Sequence, residues 1–126
     1  MRSMLIPFFL IAGLSFAALH VIATELYLYW RYWWFDIPMH FYGGLVVVLG
    51  IFALASRGLV KEKWLTLKTA ILVLLVFAIS WEIYELIIGP PVQDNYLIDT
   101  ATDLVLGLLG AIFGYYFSSY FYNSKI

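Results

Sequence analysis

Residues 68–88 read KTAILVLLVFAISWEIYELII, and the solvent this stretch requires decides the fold. A helix crossing a hydrocarbon core about 30 Å thick needs about 20 apolar residues, and this stretch has that length. The rest of the chain is of the same kind, with 64% hydrophobic and 12% charged residues, far outside the range of soluble globular proteins. Its solvent must be lipid. Three more stretches of similar length lie at 4–26, 37–56 and 97–118, joined by short segments from Tyr27 to Asp36, Arg57 to Leu67 and Gly89 to Tyr96. Short connections make sequential helices antiparallel neighbours. The expectation is an all-α membrane protein, an up-down bundle of four transmembrane helices forming a single integral membrane domain over residues 1–126. Gly89-Pro90-Pro91 should stop the third helix, because proline has no amide to donate and biases the residue before it away from helix.

Composition removes several classes of function. A formal net charge of −1 with scattered basic residues gives no footprint for nucleic acid. The absence of cysteine removes disulfides and thiolate metal sites. Arg2, the apolar run after it and Ser15-Phe16-Ala17 have the outline of a secretory signal. The run from Met4 to about Ala23 is nevertheless long enough to span, so an uncleaved first helix is expected. Arg2, Arg57, Lys61, Lys63, Lys68 and Lys125 fall on the side of the termini and Arg31 on the other, which by the positive-inside rule makes both termini cytoplasmic. The expected location is a bacterial-type plasma (inner) membrane. Tyr27, Tyr29, Trp30, Tyr32, Trp33 and Trp34 on the outer side, with Tyr115, Tyr116, Tyr120 and Tyr122 on the inner, read as interfacial anchors.

On that topology the acids and both histidines gather at the outer end. Glu25 and Asp36 flank the first outer loop, Glu82 and Glu85 occupy the outward half of helix three, Asp94 sits in the next outer loop, and Asp99 and Asp103 open helix four. His20 and His40 are outward too, and Glu62 alone among the acids is inward. With a rise of about 1.5 Å per residue, Glu82 and Asp103 each lie about 9 Å inside their helix ends, so their depths match. Asp36 and His40 are four apart, Glu82 and Glu85 three, Asp99 and Asp103 four, and each pair therefore shares a helix face. Gly43 and Gly44 below His40, and Gly107, Gly110 and Gly114 below Asp103, mark the faces where helices approach closely.

An ionised carboxylate costs roughly 2.5 to 3.5 kcal/mol at the bilayer centre, less near the interface, and neighbouring ones repel. With Arg31 the single outer cation, either some acids are protonated or a bound divalent cation neutralises them. Oxygen donors suit Mg, Ca or Mn, and imidazole beside carboxylate also admits Zn or iron. Inward Glu-x-x-Glu and Asp-x-x-x-His pairs resemble the carboxylate dimetal bundles, although those use Glu-x-x-His. The candidate ligands are Asp36, His40, Glu82, Glu85, Asp99 and Asp103, with His20, Glu25 and Asp94 peripheral. Duller roles compete: Asp36 as a cap of helix two, Asp94 or Asn95 as a cap of helix four, Asp99 as the cap of a later helix start, Glu25 as an interfacial residue, and His20 as a satisfied interior histidine.

The segments FDIPMHFYGG (35–44), WEIYE (81–85) and IDTATDLVLGLLGA (98–111) resemble the YjdF-like family of bacterial inner-membrane proteins, which shows Asp-x-x-x-His-Phe-x-x-Gly, a glutamate pair, and Asp-x-x-x-Asp before Leu-Gly-Ala. A looser resemblance reaches VanZ-like proteins, which are linked to glycopeptide resistance. The resemblance implies signature positions at Asp36, His40, Phe41, Gly44, Glu82, Glu85, Asp99, Asp103 and Gly110, but no reaction. Family members often carry arginine and lysine where this chain has Ile37 and Thr102. Losing both leaves the site more negative and favours a bound cation.

Three functions remain open on the sequence. One is a metal-dependent enzyme acting on a lipid or headgroup at the outer leaflet. Another is a cation or proton translocator, which the apolar inner halves of the helices disfavour. The third is a non-catalytic protein that binds an envelope lipid or antibiotic. Membrane lipid is the expected partner, and homo-oligomerisation is left open.

Overall fold

The computed structural model describes residues 1–88 and 95–124. The Gly89-Pro90-Pro91 stop, Asp94 and Lys125 lie outside the described residues. Among the described residues five helices follow one another: α1 (Leu5–Glu25), α2 (Leu28–Arg31), α3 (Asp36–Ser56), α4 (Leu67–Ile88) and α5 (Tyr96–Asn123), with single 3-10 turns at Arg2–Met4 and Glu62–Trp64. No strand occurs among the described residues. α1, α3, α4 and α5 are each long and apolar enough to cross a membrane.

Local chemistry sets the helix ends. α3 closes with Gly58 in the left-handed region at φ 75°, where Gly58 N donates to Ala55 O at 2.9 Å and Leu59 N to Leu54 O at 3.0 Å. That pair of bonds satisfies two of the orphan carbonyls of the last turn, and glycine adopts the required φ without a Cβ clash. α4 starts where the Thr66 hydroxyl accepts from Thr69 N at 3.1 Å, the N-cap arrangement. α1 ends differently. Tyr27 takes φ 56° and ψ 34° without being glycine, at a cost of about 1–2 kcal/mol, and the reversal turns α2 and its aromatic rings back over the end of the bundle. The first connection, read as an outer loop, thus contains a short helix.

α3 and α5 form the central pair, α1 packs on α3, and α4 packs on α5. The pairing is close because of glycine. A Cβ on Gly44 would strike the Gly107 carbonyl, one on Gly110 would strike the Phe41 carbonyl, and one on Gly114 would press on Leu45 Cα at 3.2 Å. The buried positions of α5, Asp103, Gly107, Gly110, Ala111, Gly114, Ser118 and Tyr122, advance mostly by three and four residues along one face. Large apolar side chains fill the half of the bundle nearer the termini: Leu5, Val48, Leu49, Phe52, Leu74 and Tyr122 are all buried in one cluster. Arg2 ties that end together, donating from Nε to Tyr122 O at 2.8 Å and pairing with Glu62 at 2.9 Å. These contacts bring the start of the chain, the second connection and the end of α5 to one end of the bundle, as an up-down topology requires.

The outer surfaces of α1 and α4 are apolar. Ile11, Leu14 and Val21 on α1, and Val76, Ile79 and Ile87 on α4, are more than half exposed. Water would penalise so continuous an apolar surface, whereas lipid does not.

Candidate metal centre

Asp36 is the first residue of α3, and the N-cap position belongs to Phe35, which makes no side-chain capping bond. The capping role considered for Asp36 is therefore not the one it plays. Its carboxylate turns along the helix to His40, one turn on, with Oδ1 3.2 Å from Nε2. The same Nε2 lies 3.4 Å from Oδ2 of Asp103, a buried carboxylate reaching across from α5. Asp36, His40 and Asp103 each present one donor atom within 4.8 Å of the others. The glycine contact between α3 and α5 explains this proximity. Gly44 and Gly107 touch backbone to backbone, and His40 and Asp103 lie one turn from each of them on the same side of the contact.

A hydrogen-bonded pair and two ligands of a shared metal ion have different characteristic separations. A charge-assisted bond from an imidazolium to a carboxylate runs about 2.7–2.9 Å, shorter than either separation here. The edge of a tetrahedron with metal–ligand bonds of about 2.0–2.1 Å is about 3.3–3.4 Å, which matches both.

The other predicted residues divide. Glu82 is held on α4 by two hydroxyls of α5: Tyr96 Oη donates to Oε2 at 3.2 Å and Thr100 Oγ1 at 3.0 Å. It faces the same cavity as the trio without belonging to it. Glu85, half-buried, interacts with the charges of Asp36, Glu82 and His40 and with Trp81, whose Nε1 is buried without a hydrogen bond of ordinary geometry. Asp99 lies in the first turn of α5 and is exposed, outside the trio. Because α5 starts at Tyr96 and Asn95 holds the N-cap position, Asp99 caps nothing, and Asn95 itself makes no side-chain capping bond. Glu25 ends α1 and is exposed. His20 is a satisfied interior histidine, with Nδ1 2.9 Å from Tyr29 Oη and its ring edge-on to Trp81 at 5.1 Å.

Sequence reasoning read Tyr29 as an interfacial anchor and passed over Tyr96, Thr100 and Trp81 as residues of the site. The α5 pair was within reach, since Tyr96, Thr100, Asp103 and Gly107 step by four, three and four along one helical face. Tyr29 had no such signal. Its place depends on the left-handed turn at Tyr27 that carries it over the cavity mouth. Burial, with the Asp36 and Glu85 carboxylates nearby, pushes the Tyr29 phenol up to about 12.

Trio, Glu82, His20 and Tyr29 line one end of a cavity of about 350 Å³ between α1 and α4, whose remaining walls are almost wholly apolar, among them Phe16, Val47, Leu74 and Leu104. The volume falls in the range of small-molecule sites, about 300–1,000 Å³.

No curated protein and no solved structure matches this chain. A protein-family model described as "Predicted membrane protein (DUF2238)" matches residues 1–124, and with almost the whole length so covered, the chain belongs to that family of membrane proteins.

Proposed function

We propose that this membrane protein binds a divalent metal ion through Asp36, His40 and Asp103, and uses it as a metal-dependent enzyme on a membrane lipid or its headgroup. The observation that carries this reading is the position of His40 Nε2, 3.2 and 3.4 Å from two carboxylates on different helices. Two carboxylates balance a divalent charge, and three protein ligands leave coordination positions for water or substrate. Zn best fits the short edges and mixed donors, with Mn, Mg and Ca as the oxygen-favouring alternatives. A metal held so supplies Lewis acidity toward a carbonyl or phosphoryl oxygen and lowers the pKa of bound water. Glu82, oriented by Tyr96 and Thr100 in the same cavity, is the candidate general base. In this reading Glu85 and Asp99 supply negative field rather than ligands.

The proposal extends to setting. The chain is of the YjdF-like type within its family, lies in a bacterial-type inner membrane with both termini cytoplasmic, and forms one integral domain. The looser VanZ-like resemblance draws no support from the comparisons. Translocation is the weaker reading, because the cavity stops at the level of Val47 and Gly107, and the buried cluster of Leu5, Val48, Phe52 and Tyr122 fills the half beyond it.

Titration of purified, chelator-stripped protein with Zn²⁺ and Mn²⁺ tests the ligand set. One tight ion per chain is expected, lost in His40→Ala and Asp103→Asn and retained in Asp99→Asn. Equal binding by wild type and both loss variants would overturn the assignment.

A further inference from the structure

The cavity has a shape that the metal alone does not explain. Along α3 its lining runs from Asp36 to Val47, a rise of about 16 Å. That is half of a hydrocarbon core about 30 Å thick, the depth of one leaflet. One end is polar, at the Asp36–His40–Asp103 trio and Glu82, and the other is apolar, at Val47, Leu74 and Gly107. Its side is open to the membrane: α1 and α4 form no extended pair, and the rim residues Phe77 and Ile79 on α4 are more than half exposed. A ring contact between His20 and Trp81 joins α1 to α4 near the polar end. Gly43 and Ala78 keep the walls low between the two ends, and nothing but the Phe16 ring comes near the Gly43 Cβ position, at 3.5 Å.

A polar head at one end, an apolar shaft below it, the two together about one leaflet deep, and an entrance facing hydrocarbon are complementary to an amphiphile in its ordinary membrane orientation. The charge around the head end selects further. A divalent ion is neutralised by Asp36 and Asp103, and the Glu82 carboxylate, accepting from Tyr96 and Thr100, then leaves the surroundings negative. An ionised phosphate headgroup would meet that field unfavourably, whereas a hydroxyl or ester carbonyl can ligate the metal at no such cost.

We propose that the cleft between α1 and α4 seats a single hydrocarbon chain of a membrane amphiphile with a neutral, hydroxyl- or ester-bearing head, entering sideways from the leaflet at the Asp36 end. For the head this deepens the metal reading and rests on it; for the chain it does not.

The test uses full-length protein in phosphatidylcholine nanodiscs with a monopalmitoylglycerol analogue bearing a mid-chain diazirine. Photolabelling should concentrate on the segments holding Val46, Val47 and Ala78, and drop about tenfold in Ala78→Trp, which fills the cleft. Val76→Trp, on the lipid-facing side of α4, should leave it unchanged. Mn²⁺ affinity, read in the same samples, should be equal in wild type and Ala78→Trp. Labelling spread evenly over the exposed segments holding Leu72 and Val76, or undiminished in Ala78→Trp, would overturn the chain site. Competition by hexadecyl phosphate stronger than by monopalmitoylglycerol would overturn the neutral head. If wild type takes up no Mn²⁺ while labelling stays in the cleft, the metal reading falls and the chain site stands.

Discussion

Gly44→Ala is the perturbation that most directly connects packing to the site. The added Cβ would fall inside the contact radius of the Gly107 carbonyl oxygen, with Ala111 N at 3.0 Å on its other side. A carbon to carbonyl-oxygen contact needs about 3.3 Å, so α3 and α5 must part by roughly 1 Å. His40 and Asp103 ride on the two helices that separate, and their 3.4 Å separation would widen by a comparable amount. Metal ligation tolerates only about 0.2 Å per bond. The expected result is a loss of roughly 10- to 100-fold in metal affinity, with an overpacking cost of about 1–3 kcal/mol. The neighbouring glycine supplies the control: on Gly43 a Cβ would meet only the Phe16 ring, at 3.5 Å, an ordinary contact. Gly43→Ala should fold and bind as wild type does. Mn²⁺ titration followed by electron paramagnetic resonance, with circular dichroism on the same samples, reads both quantities. Unchanged affinity in Gly44→Ala, or equal losses in the two variants, would refute the reasoning.

Thr100→Val removes the 3.0 Å donor from half-buried Glu82 and should cost about 1 kcal/mol in thermal unfolding at fixed detergent. Thr102→Val, whose exposed hydroxyl bonds only to Ile98 O in its own helix, should cost almost nothing. Ser118 is fully buried and its hydroxyl has no hydrogen-bond partner among the described residues, so Ser118→Ala should leave the melting temperature unchanged or raise it, whereas a clear drop would reveal a partner for that hydroxyl. The Tyr29 phenol, pushed up to about 12, favours its protonated form in the folded chain. Its contribution to stability is complete below the unfolded value of about 10 and is lost as pH rises toward 12. The wild type minus Tyr29→Phe phenolate difference spectrum should therefore have its midpoint near pH 12, and a midpoint near 10 would place the phenol in open water.

Much of this was legible because a bilayer permits few architectures. Once 68–88 had to lie in lipid, helices were the available form, and short connections left little freedom in their order. Same-face spacing placed His40 with Asp36 correctly, because a four-residue step is a property of one helix. It gave no difference between Asp103, which is buried, and Asp99, which is exposed, because they also stand four apart. Which of two residues on a stripe enters the interior depends on how the helix is rotated against its partner, and that rotation is set by the Gly44–Gly107 and Phe41–Gly110 contacts. The glycines were read as packing residues, and packing is their part in the site: they bring His40 and Asp103 together. Glu82 and Glu85 were read as ligands from their depth, their three-residue spacing and the family resemblance; the structure adds hydroxyls of the facing helix as partners of Glu82, and facing-helix partners follow from register, which the sequence pattern leaves free. The strained turn at Tyr27, made without glycine, carried no sequence signal at all.

The central claim is that one divalent ion sits between Asp36, His40 and Asp103. Anomalous diffraction at the zinc edge, from crystals of Zn²⁺-loaded wild type and of His40→Ala, tests it most directly. The account predicts one strong peak in wild type, about 2.0–2.2 Å from His40 Nε2 and from an oxygen of each aspartate, and none there in His40→Ala. A wild-type map without density at the trio, or a peak that survives the loss of His40 unchanged, would contradict it.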